Sequence, residues 1–89
     1  MIKQAEDITG RPAKSPKPLS EAKTGESVRL VNVLGGRGIR QRMCALGLLP
    51  GAALTVVSNS RRGPVTVAIG EMRLVLGRGI VHKILVNEG

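Results

Sequence analysis

The stretch Arg42-Met43-Cys44-Ala45-Leu46-Gly47-Leu48-Leu49-Pro50-Gly51 decides the fold. It reads as the last turn of a short helix, a glycine stop and a Pro-Gly turn into a strand. Ile39, Met43 and Leu46 stand at i, i+4 and i+7 and so share one helix face. Gly47 falls where a helix terminus calls for positive φ. Pro50 presets the first central position of a turn and Gly51 supplies the second. The strand Leu54-Thr55-Val56-Val57 follows at once. Met43 and Leu46 are expected to point inward. Of Leu48 and Leu49, only one can easily turn inward after the helix stop, and Leu49 is expected to be the more exposed.

Working outward, apolar runs recur between turn signals. Val28–Val33 ends at Gly35-Gly36, and Leu54–Ser58 ends at Arg61-Arg62-Gly63-Pro64. Val65–Ile69 ends at Gly70-Glu71, Met72–Leu76 at Gly77-Arg78-Gly79, and Ile84–Val86 closes the series. Five short strands punctuated in this way, with one short helix between the first and second, predict a mainly β fold and a small barrel. Val65, Val67 and Ile69 alternate cleanly, as do Met72, Leu74 and Leu76. The first strand does not: Val28, Leu30 and Asn32 are in phase, yet Val31 and Val33 are apolar, so both its faces are expected to be partly covered. Val33-Leu34-Gly35-Gly36-Arg37-Gly38-Ile39 is echoed by Val75-Leu76-Gly77-Arg78-Gly79-Ile80, which reads as one strand-to-helix junction used twice.

Order is expected to begin at Leu19, with Ser20 capping a helical turn over Glu21-Ala22-Lys23 that Gly25 ends. Residues 1–18 read as a disordered or flexible tail, since Arg11–Pro18 holds three prolines and three charges with little to bury. Residues 19–89 then form one domain. A domain of this size buries about 60% of the surface its unfolded chain exposes. A partner, or a homo-oligomer, would supply further burial.

Composition narrows the function. The 89 residues carry a net charge of +8 and no Phe, Tyr or Trp. Single-stranded nucleic acid is usually held on aromatic platforms, which this chain lacks. The charge is uneven. Residues 1–26 hold a net +1, whereas residues 27–89 hold nine basic and two acidic groups, and eight of the nine are Arg. Arginine forks suit carboxylates and phosphates. The arginines are either solvated charges kept for solubility or a basic face for an anionic partner. The single Cys44 excludes an internal disulfide and fits a reducing compartment, and no apolar run approaches the ~18 residues of a membrane helix. A cytoplasmic protein without membrane insertion is expected.

Catalytic and metal chemistry find little support. There is no carboxylate pair, Ser-His-Asp set or nucleophile elbow, so the chain does not read as an enzyme and no catalytic residue is assigned. No two of His82, Cys44, Glu71 and Glu88 make a ligand-spaced pair, so neither a metal site nor a cofactor is assigned. Gly36-Arg37-Gly38 departs from the dinucleotide fingerprint at Gln41, and the second loop departs at His82, so both loops read as tight turns.

The run Arg42–Gly51 resembles the signature of the FeoA family, usually Arg-Leu-x-x-Leu-Gly-Leu-x-Pro-Gly. Gly25, Val28–Val33 and Gly35-Gly36 resemble its first strand and double-glycine turn, and Leu74–Val86 resembles its closing segment. The resemblance spans residues 19–87. It implies an SH3-like barrel and a cytosolic accessory protein of bacterial ferrous-iron uptake. The implied partner is the membrane permease FeoB with its cytosolic GTPase domain, and iron is then the transported ion. The partner-binding surface is assigned to Arg40, Arg42, Leu48, Leu49, Arg61 and Arg62. The alternative is a small basic SH3-like module that binds nucleic acid.

Overall fold

The computed structural model describes residues 16–88. Six strands form one antiparallel sheet: β1 (Lys17–Pro18), β2 (Ser27–Val33), β3 (Ala53–Asn59), β4 (Val65–Ile69), β5 (Met72–Leu76) and β6 (Ile84–Glu88). Their order across the sheet is β1-β6-β2-β3-β4-β5. Two helices, α1 (Arg37–Ala45) and α2 (Arg78–Val81), and a 3-10 turn at Leu19–Glu21 complete the fold. Strands β2 to β6 are the five that the sequence pattern predicts, with α1 between the first and second of them. The sheet is not a closed barrel, because β1 and β5 are its two edges.

Lys17 and Pro18 pair with Val86 and Leu85, so these two residues belong to the sheet and not to a tail. A proline has no N–H to give a second neighbour, which suits an edge strand. The tail reading for residues 1–15 lies outside the described residues. Ser20 is not a helix cap either. Pro18 occupies the N-cap position of the 3-10 turn without a side-chain bond.

The ambiguous phase of β2 has a local cause. Leu30 pairs with Val86 but Asn32 pairs with Leu85, so Val31 is an extra residue in the ladder. Such a bulge changes which face the following residues take. Val28 and Leu30 before it and Val33 after it are therefore all buried, while Asn32 turns outward. The Asn32 side-chain oxygen accepts the Val33 N–H at 2.8 Å. The expectation that both faces of β2 are covered gives way to a change of phase.

The core is aliphatic throughout. Val28, Leu30, Leu54, Val56, Val65, Val67, Ile84 and Val86 line it from the sheet, and Leu19, Met43, Leu48 and Val81 close it from the connections. Each such side chain contributes about 1.5–3 kcal/mol on burial. No polar residue is buried among those described. The repeated junction is real: Gly36 and Gly77 both stand in extended backbone at the N-caps of α1 and α2, each followed by Arg-Gly-Ile.

Candidate functional site

The end of α1 is built by backbone chemistry. The N–H of Leu48 donates to the carbonyl of Met43 at 2.9 Å, and the N–H of Gly47 to that of Cys44 at 2.9 Å. This pair of bonds, with Gly47 at φ +93°, is the Schellman closure of a helix. It turns Leu48 back beneath Met43, and both side chains enter the core. Leu49 to Ala52 then form a type II turn, in which the Ala52 N–H donates to the Leu49 carbonyl at 2.9 Å and Gly51 stands at φ +92°.

This turn is anchored to β2 at three points. Gly51 N–H donates to the Leu30 carbonyl at 2.7 Å, and Leu30 N–H to the Ala52 carbonyl at 2.9 Å. The third is the side chain of Arg29, whose Nη1 donates to the Gly51 carbonyl at 2.8 Å. Sequence reasoning missed Arg29. Its signal was only that of an outward-facing arginine on a strand.

Leu49, 44% exposed, stands on this rigid turn as expected. Leu48 is 1% exposed and offers no surface to a partner, which corrects its inclusion in the docking set. Leu46 departs from expectation in the other direction. It is the helix C-cap, 38% exposed, because the helix stops at Ala45 and Leu48 takes the inward slot. Beside Gly47 lies Ile69, whose Cγ2 would stand 4.0 Å from a Cβ built there. Ile69 pairs with Met72 across the β4–β5 hairpin, and Met72 is 48% exposed. The helix end that carries Leu46 and Leu49 is thus next to the β4–β5 hairpin at Gly47.

Arg40 and Arg42 are exposed on α1. Arg61 and Arg62 are exposed after β3, at the opposite end of that strand from the Pro50-Gly51 turn. A seven-residue strand spans roughly 20 Å, so the predicted set falls into two separate surfaces. Cys44 is exposed and free. The His82 Nδ1 lies 3.1 Å from the hydroxyl of Ser20. Among the described residues, no group of three or more His, Cys, Asp or Glu could hold a metal ion. Nor is any helix among them long and apolar enough to cross a membrane.

One carboxylate has a shifted titration. Glu26 accepts the Lys23 backbone N–H at 2.9 Å and pairs with Lys17 Nζ at 2.9 Å. The backbone bond chiefly, and then the lysine, hold its carboxyl below the ordinary value. The pair ties the β1 edge to the turn that opens β2.

These features define a small, basic, single-sheet β module of SH3-like build, marked by a rigid apolar turn beside a short helix. Residues 17–88 match the FeoA domain, and the chain belongs to the FeoA family, whose members are accessory proteins of ferrous-iron transport. It is 35% identical over 71 residues to a protein of Methanocaldococcus jannaschii named as a candidate Fe(2+) transport protein A, covering 80% of this chain and 85% of that one. The crystal structure of an iron uptake regulatory protein, FeoA, superimposes with a TM-score of 0.78 at 33% identity, covering 84% of this chain and all of the other. A manganese-dependent transcriptional repressor shares the fold at 17% identity and a TM-score of 0.78, with 94% of this chain covering 42% of that one.

Proposed function

We propose that this protein is a non-enzymatic regulatory component of ferrous-iron uptake that docks on the cytosolic part of the membrane permease FeoB. Leu49 on its anchored turn is the observation that carries the reading. A leucine held out by a fixed turn loses little conformational freedom on binding, which favours it as an anchor. Leu46 and Met72 are further exposed apolar side chains, and Arg40 and Arg42 supply exposed charges on the preceding helix. Apolar anchors with arginines around them are a common interface composition. In this reading the protein is cytoplasmic, reaches the membrane through its partner, and carries no iron of its own.

The test is binding to the isolated cytosolic domain of the permease. Leu49→Ala is expected to weaken binding mainly through a faster off-rate. The double variant Arg40→Glu, Arg42→Glu is expected to slow association and to reduce its sensitivity to salt. Both variants retain the fold, since neither site is in the core. If both bind like the parent, the docking face is elsewhere.

A further inference from the structure

Asn59, at the end of β3, organises a second site far from the docking turn. Its Nδ2 donates to the carbonyls of Ser20 at 3.0 Å and Ala22 at 2.6 Å. Both amide hydrogens are thereby committed to the 3-10 turn and the residue after it, which sets the direction of the side-chain oxygen. That oxygen accepts Nη2 of Arg78 at 2.9 Å. The same Nη2 also donates to the Ser60 carbonyl. One asparagine therefore clips the N-terminal turn to the start of α2 and holds the Arg78 guanidinium in place.

Arg78 borders an open pocket of about 610 Å³. The lining includes three cationic side chains, Lys23, Arg61 and Arg78, against one acid, Glu21. No ion pair of Arg61 or Arg78 with a carboxylate is present among the described residues. The Arg78 guanidinium meets only neutral oxygens, and its Nε is out of solvent without a partner. A permanently charged fork that is half-buried without a counter-charge is poorly compensated by the protein alone.

We propose that this pocket binds a phosphate-type oxyanion, with Nη1 of the fixed Arg78, the nitrogen that Asn59 and Ser60 leave uncommitted, as one contact and the fork of Arg61, from the β3–β4 connection, as the other. Arg78, Arg61 and Lys23 bring three positive charges to the pocket, which a doubly charged oxyanion offsets better than a singly charged carboxylate does. A phosphomonoester has three terminal oxygens and up to two charges. The pocket is also within the range of small-molecule sites, so it has room for the group that carries the phosphate. The phosphate belongs either to a soluble metabolite or to a lipid headgroup, and the chemistry recognised is the same.

The test uses the full chain labelled with 15N and titrated with inorganic phosphate, with adenosine monophosphate and with phosphatidylcholine vesicles containing phosphatidic acid. Expected are saturable shifts of the Asn59 side-chain amide and the Arg78 Nε–H at one equivalent. Arg61→Ala, on the exposed connection, leaves the fold intact and should weaken binding roughly tenfold, as the loss of one charge-assisted contact predicts. Arg78→Lys keeps the charge but loses the planar group that Asn59 and Ser60 hold in place, and should weaken it at least as much. Arg40→Gln with Arg42→Gln should not change it. Saturation by the soluble anions identifies a soluble ligand, whereas retention on vesicles alone, lost in Arg61→Ala, identifies a headgroup. Small non-saturating shifts at all arginines, or an Arg61→Ala variant that binds like the parent in every arm, overturn the proposal.

Discussion

Gly47 and Gly51 show how much of this molecule is set by the backbone of two residues. Both stand at positive φ, and a Cβ would meet nothing within 4 Å at Gly51 and only an ordinary contact with Ile69 at Gly47. The cost of alanine is therefore conformational and not steric. Gly47→Ala and Gly51→Ala are each expected to destabilise the protein by about 1 kcal/mol. Thermal melts that match the parent would refute this. Glu26 is the second informative residue. Its folded-state pKa is lowered, so its stabilising contribution is full above the unfolded value of 4.5 and is lost as pH falls through the folded value. In melts across pH, Glu26→Gln should be less stable than the parent at neutral pH, and the gap should close in acid. A gap that persists unchanged at the acid end would contradict the assignment.

At the level of elements, the junction of α1 with β3 separates a structural leucine from a functional one. Leu48 is drawn under the helix by its bond to Met43, while its neighbour is held out on the type II turn. Leu48→Ala leaves a cavity in an aliphatic core and should cost about 2–5 kcal/mol in denaturant unfolding. Leu49→Ala should change stability by less than about 0.5 kcal/mol, as is usual for exposed sites. Equal losses in the two variants would mean that Leu49 is part of the core. Leu46 shows why helix periodicity alone misplaced one side chain. The i, i+4, i+7 pattern assumes that the helix continues, whereas Schellman closure gives the third inward position to the residue after the glycine.

At the scale of the molecule, the described residues gather no set of metal ligands. The isolated protein is expected to bind Fe²⁺ or Zn²⁺ weakly and without a defined site, as judged by anaerobic calorimetry. One tight equivalent per monomer, abolished by His82→Ala, would overturn this. The two edges of the sheet also matter at this scale. Strand β5 keeps one free edge, with Val75 highly exposed beside the basic Arg73, and charge on an edge strand discourages pairing with other chains. By itself the sequence determined the strands β2 to β6, the glycine stop at Gly47, the Pro50-Gly51 turn and the exposure of Leu49. Period-two alternation, helix closure and turn chemistry act over a few neighbouring residues, so they are written locally. Only the tertiary structure decided that Lys17 and Pro18 join the sheet, that a bulge at Val31 shifts β2, that Arg29 braces the turn, and that Asn59 holds Arg78 over a pocket. The contact of Ser20 with Asn59 spans 39 residues and that of Asn59 with Arg78 spans 19. Such pairings depend on how the sheet brings distant segments together, and no local pattern in the chain records them.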